Sequence, residues 1–196
     1  MLGGSFNPIH IGHLILAEEV VHRLGYHKII FVPVNIPPHK HLAEGANNGQ
    51  RLEMVQLAIH DNKNFDVDCC ELERGGISYT YDTLHILLEK YKDIIEGNIG
   101  VIFGDDLVAG FETWGHYKEL PNLADIILAR RILPASNTKI NFPYKYRELA
   151  NSLFPLSSSE VREKIKNPSL GSWRYLVPKE IYQYIIDRNL YGYRSN

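Results

Sequence analysis

No apolar run in this 196-residue chain comes near the roughly 18 residues that a bilayer-spanning helix needs. Nor does the chain open on a basic-then-apolar leader, so secretion is not expected. Cysteine is almost missing: the two present, Cys69 and Cys70, are adjacent. Vicinal cysteines seldom form a stabilising bridge, and a reduced, cytosolic setting is expected. Net charge is nearly absent too, at −2 with a sequence pI near 6.5. That balance argues against a broad nonspecific nucleic-acid footprint. There are no internal repeats and no low-complexity tracts. What remains is 44% hydrophobic and 22% charged, which suits one globular domain with a sizeable core.

Apolar runs of strand length alternate with helical patterns. Residues 28–34 (KIIFVPV) and 98–104 (NIGVIFG) predict buried strands, and residues 65–72 and 125–129 predict weaker ones, with Cys69 and Cys70 inside the first of these. Leu14, Ala17, Val21 and Leu24 follow helical spacing, and Gly25 stands where a helix stop is expected. Further helices are predicted over 51–59, 80–91 and, as a closing amphipathic segment, 178–189. Strand and helix in alternation, with continuously apolar strands, mean an α/β fold whose parallel sheet is covered on both faces. Ligands in such folds bind beyond the carboxyl ends of the strands, so the informative residues should follow the strands.

They do. Residues 3–13 read GGSFNPIHIGH and lead straight into the first helix. Gly3 and Gly4 permit close approach of the backbone to a ligand. A helix start offers unpaired N–H groups and a positive dipole end. His10 and His13, three apart, can aim both imidazoles at one spot there. Residues 37–40 (PPHK) use two prolines to stiffen the segment that projects Lys40. His39 and His41 invite a zinc reading, but no cysteine or acidic partner has ligand spacing, and no protein-held metal site is expected. Residues 71–84 (ELERGGISYTYDTL) predict strand, loop and helix, with Ser78 or Thr80 available as a cap. Gly104, Asp105 and Asp106 follow a strand, Trp114 comes eight residues after Asp106, and Arg130 and Arg131 follow another strand. Ser157, Ser158 and Ser159 open a helix, with Arg162 about a turn in; capped amides and a guanidinium together suit phosphate.

These motifs resemble those of the HxGH nucleotidyltransferase superfamily, and in particular the nicotinate-nucleotide adenylyltransferases. HIGH alone also matches class I aminoacyl-tRNA synthetases, but a KMSKS element and an anticodon-binding extension are missing. PPHK, the helix opening at Arg51, SYTYDTL, GDD with Trp114, and LSSSEVR (for the family's ISSTxIR) occur in family order over nearly the whole chain. The resemblance implies a Rossmann-like doubly wound sheet of nucleotidyltransferase type in a single domain, 1–196, with a helical C-terminal part over 157–196. It implies catalytic roles for His10, His13, Lys40 and Arg162. ATP would lie on Gly3, Gly4, Ser5, Phe6, His10, His13, Lys40, Gly104, Asp106, Ser157, Ser158 and Arg162, with Mg²⁺ carried on its phosphates. The pyridine nucleotide would lie on Asn7, Thr80, Trp114, Gly115 and Arg130. The implied reaction transfers AMP from ATP to nicotinate mononucleotide. Transfer to nicotinamide mononucleotide or another phosphate acceptor stays open. The family often has an aromatic residue where this chain has Gly115. The chain also departs at its start: only Met1 and Leu2 precede Gly3, too few for the family's first strand, so a central strand is expected to be cut short.

Overall fold

The computed structural model describes residues 1–39, 41–130, 140–151 and 155–194. Lys40 and Arg131 lie outside the described residues. Among the described residues the elements are β1 (Leu2–Gly4), α1 (Ile11–Leu24), β2 (Ile29–Pro33), α2 (Asn48–Ile59), β3 (Phe65–Val67), α3 (Cys70–Arg74), α4 (Thr80–Lys90), β4 (Gly100–Gly104), α5 (Leu120–Leu123), β5 (Asp125–Ala129), β6 (Arg147–Leu149), α6 (Ser158–Lys166) and α7 (Lys179–Asp187). A 3₁₀ segment, Asp105–Thr113, follows β4, and shorter ones, Pro168–Leu170 and Leu190–Gly192, flank α7. The strands form one sheet in the order β3-β2-β1-β4-β5-β6, and every pair in it is parallel.

Strand alternation sends side chains to two cores, one per face. From β5, Ile127 and Ala129 join Leu2, Phe31 and residues of α1, α2, α6 and α7. Ile126 and Leu128 join Val32, Phe103 and residues of α4 and α5 on the other face. The doubly covered parallel sheet expected from the apolar runs is therefore present. Strand order reverses between β1 and β4, which makes their carboxyl ends the switch point.

The expectation that too few residues stand here for a first strand is corrected. Leu2–Gly4 pairs with β2 over its full length and with β4 at Leu2. The glycines are themselves part of the strand, so the run is longer than the two residues before them. A parallel strand bonded on both sides holds at three residues because its neighbours supply the ladder. The 65–72 strand is also corrected: it stops at Val67. Asp68 accepts the Cys70 N–H on its side chain at 2.9 Å and turns the chain into α3, so Cys70 begins a helix. At α2 the start is Asn48, three residues before Arg51, because Asn47 and Gln50 close a reciprocal capping box. At α4 the cap position falls on Tyr79 with no side-chain cap, since the Ser78 hydroxyl already accepts the Asn35 N–H at 2.9 Å. The edge strand β6 has no apolar run, only Leu149 being buried, and the sequence offered no sign of it.

Candidate active site

A cleft of about 400 Å³ opens at the switch point. Of the residues the motifs single out for ATP, Gly3, Gly4, Ser5, Phe6, His10, His13, Gly104, Asp106, Ser157, Ser158 and Arg162 all line it, as do Asn7 and Arg130. Among the described residues six chain segments meet here: the loop from β1 into α1, the ends of β4 and β5, the start of α6, residues 41–43, and Asn151 after β6.

The β1–α1 loop is held by polar side chains from elsewhere in the chain. Phe6 has a positive φ of 44° and is buried, a conformation that costs a non-glycine residue and persists only where surroundings impose it. Arg51, with no exposed surface, donates to the Ser5 carbonyl at 2.7 Å. Arg162 donates from Nη1 to the Asn7 carbonyl at 2.7 Å and from Nη2 to Ser159 Oγ at 3.0 Å. The Ser158 hydroxyl donates to the Pro8 carbonyl at 2.8 Å. Asn7 Nδ2 donates to the Ala43 carbonyl at 2.7 Å, which draws the 41–43 segment over the cleft. Two helix starts, those of α1 and α6, are thus pinned side by side.

His10 caps α1 and His13 lies on its first turn. Their rings stack, centroids 3.7 Å apart and planes 29° apart. The His10 N–H donates to His13 Nδ1 at 3.2 Å. That bond needs a bare Nδ1, so the neutral ring carries its proton on Nε2. Phe6 meets His13 edge to face, ring centroids 5.0 Å apart. At α6, Ser157 Oγ accepts the Glu160 N–H at 3.1 Å.

Thr80, Trp114 and Gly115 stand outside this cleft but close to one another. A Cβ on Gly115 would come within 3.0 Å of the Tyr79 ring. The Tyr79 ring therefore lies directly against the backbone at Gly115. The Tyr81 ring stacks on His116 at 4.2 Å and 19°. Thr80, between these two tyrosines, opens α4 beside the Trp114–His116 turn. Trp114 packs on Phe103 at 5.2 Å and Phe111 at 5.5 Å. Arg130, expected with this group, sits instead in the main cleft, its guanidinium paired with Glu148 at 2.7 Å. Sequence reasoning missed Asn151, which lines the cleft and bonds the Arg130 backbone in both directions at 2.8 and 2.9 Å. It follows β6, so the rule that ligands bind after strands would have found it had that strand been readable. His41, one of the histidines whose number suits phosphate chemistry as well as zinc, lines the cleft too. Among the described residues, no three His, Cys, Asp or Glu side chains converge on a possible metal position.

Open α/β sheets bind ligands where strand order reverses, and helix N-termini gathered at such a point favour phosphate. Fold and cleft together define the class, an α/β nucleotide-binding protein. Comparison narrows it. The cytidylyltransferase-like family matches residues 1–164. A probable nicotinate-nucleotide adenylyltransferase of Borreliella afzelii is 36% identical over 196 residues, 100% of this chain and 97% of that one. One of Listeria monocytogenes is 36% identical over 192 residues, covering 98% and 96%. Among solved structures, Plasmodium falciparum nicotinic acid mononucleotide adenylyltransferase complexed with NaAD superposes with a TM-score of 0.73 at 23% identity, over 98% of this chain and 96% of that one, and so shares the fold. The chain belongs to the cytidylyltransferase-like family and, within it, to the nicotinate-nucleotide adenylyltransferases.

Proposed function

We propose that this chain transfers AMP from ATP to nicotinate mononucleotide, giving nicotinate adenine dinucleotide and pyrophosphate, a step of NAD synthesis. One observation carries the reading. His10, His13, Ser158 and Arg162 meet at two helix starts on the switch point, in a chain more than a third identical, end to end, to adenylyltransferases of this name.

A phosphate oxygen of the acceptor attacks the α-phosphorus of ATP. The bond from that phosphorus to the bridging oxygen breaks, and pyrophosphate leaves. The attacking phosphate is already anionic, so no protein nucleophile is needed and catalysis is positioning plus charge stabilisation. His13, through Nε2–H, and His10 donate to the α-phosphate as its charge builds. Ser158 and Arg162 hold the leaving pyrophosphate, with Lys40. A guanidinium has five N–H groups, and Arg162 can keep its bond to the Asn7 carbonyl while others meet phosphate. Gly3, Gly4, Ser5, Phe6, Gly104, Asp106 and Ser157 receive the rest of ATP, with Asp106 on ribose hydroxyls. Mg²⁺ would come on the ATP phosphates and supply charge neutralisation there, which fits a cleft whose lining among the described residues has one carboxylate, Asp106. Asn7, Thr80, Trp114, Gly115 and Arg130 receive the pyridine nucleotide, the amides of Trp114 and Gly115 taking its carboxylate. The free, adjacent cysteines fit a reducing compartment, the cytoplasm.

The test is pyrophosphate release with ATP and Mg²⁺, comparing nicotinate with nicotinamide mononucleotide. A carboxamide leaves those amides imperfectly paired, so the acid is expected to be preferred by at least about tenfold in kcat/KM. Equal use removes the carboxylate account, and silence with both acceptors sinks the reading.

A further inference from the structure

The loop assigned to ATP and the helix assigned to the acceptor are joined by a line of side chains through the protein. It starts at Arg51, whose Nη1 donates to the Ser5 carbonyl at 2.7 Å. Its Nη2 donates to the Val34 carbonyl at 2.6 Å and to Asn48 Oδ1 at 2.7 Å. Asn48 Nδ2 donates to Asn35 Oδ1 at 2.6 Å. Asn35 in turn donates its backbone N–H to Ser78 Oγ at 2.9 Å and its Nδ2 to the Gly76 carbonyl at 2.8 Å. The Ser78 N–H bonds back to the Ile36 carbonyl at 2.8 Å. Ser78 stands two residues before α4, and on the first turn of that helix the Thr83 hydroxyl donates to Glu71 Oε1 at 2.6 Å.

Burying a guanidinium is costly, and well-packed apolar side chains commonly serve stability as well. The line also runs transverse to the local structure: it crosses from the β1–α1 loop through α2 and the β2 end to the segment that leads into α4. What it does set is a distance. In-line transfer requires the attacking oxygen within about 3–3.5 Å of phosphorus, and a displacement of about 1 Å costs roughly a hundredfold in rate. The donors assigned to the α-phosphate, His10 and His13, stand at the end of the β1–α1 loop, and Thr80, one of the residues assigned to the acceptor, opens α4.

We propose that Arg51, Asn48 and Asn35 are positioning residues that hold the ATP loop and the α4 start at the separation the reaction needs. The proposal rests on the reading of the site given above. Asn48→Asp tests it with little change of shape. The aspartate keeps an oxygen for Arg51 and faces the Asn35 oxygen with a second one, so the line breaks at one bond. With ATP, Mg²⁺ and nicotinate mononucleotide, kcat should fall at least about tenfold, while KM for each nucleotide and the melting temperature hold near wild type. Ser78→Ala breaks the same line farther along and should act alike. The double variant should be little slower than either single one, because a line cut twice is no more broken than a line cut once. An unchanged kcat, a loss confined to KM, or fully additive losses overturn the proposal. If Asn48→Asp does not fold, the kcat-against-KM split in Ser78→Ala decides alone. A wild-type protein silent with this acceptor refutes the substrate assignment and the proposal together, whereas an active one with indifferent variants refutes only the positioning.

Discussion

His13 takes the His10 N–H on Nδ1, and this single bond determines which ring nitrogen presents a proton to the cleft. If that proton stabilises the transition state, His13→Ala should lower kcat roughly 10²–10³-fold. His13→Gln, whose amide nitrogen reaches near the position of Nε2, should recover part of the loss. Pyrophosphate release at saturating substrate measures both, and near-normal turnover in His13→Ala rules out the role. Gly45 shows the opposite kind of constraint. Its φ is +133°, and a Cβ there would stand 2.3 Å from Tyr191 Cδ1. Tyr191 is buried at 3% exposure and cannot easily swing out. Gly45→Ala should therefore cost about 1–3 kcal/mol by overpacking, with backbone strain added, seen as a lower urea midpoint. The glycine carries no motif, and its neighbour in space lies at the other end of the chain.

At the scale of elements, Asp68 ties β3, α3 and α4 together. Its carboxylate accepts Lys90 Nζ at 2.7 Å, the Tyr91 hydroxyl at 2.8 Å and the Cys70 N–H at 2.9 Å. Burial alone would push its pKa up, but these hydrogen bonds outweigh burial and hold it below the ordinary carboxylate range. A carboxylate depressed in the folded state binds fewer protons there than in the unfolded chain. Its contribution to stability is full above the unfolded value and is lost as pH falls through the folded one. Urea midpoints should therefore decline on the acid side, below the usual carboxylate range. Asp68→Asn should lower the stability at neutral pH by about 1.5–3 kcal/mol for lost charge-assisted bonds, read as a lower urea midpoint, and flatten that acid limb. An unaltered acid limb would assign the pH dependence to other carboxylates. The same residue explains the misread strand, since strand pattern ran on through Cys70 while a side-chain bond from Asp68 ended it.

For the whole molecule, the C-terminal part is continuous with the rest. Val161, Ile165, Trp173, Ile181 and Ile185 share one core with Leu2, Phe31 and Ile102. Tyr184 donates to Glu53 on α2 at 2.6 Å. We expect a single cooperative calorimetric transition for residues 1–196, and no folded product from a chain ended before 157. Two resolved transitions would make 157–196 a separate unit. Ile181→Ala, fully buried between α7 and that core, should cost about 2–5 kcal/mol, and chemical denaturation checks it.

Local chemistry accounts for what the amino-acid sequence determined by itself. Continuous apolar runs marked β2, β4 and β5, helical spacing and Gly25 marked α1, and glycines, histidines and serines beside helix starts marked the residues that line the cleft, because each signal lies within one turn or one strand. Tertiary structure alone decided the rest. Whether Leu2–Gly4 is a strand depended on two neighbours to bond it. Asn151 reached the cleft through an edge strand with one buried residue. The Tyr79 ring came to lie against Gly115 across a turn, and the line from Arg51 to Ser78 required side chains far apart in sequence to face one another. A hydrogen bond between distant residues leaves no period and no spacing behind, and only the folded chain brings its two ends together.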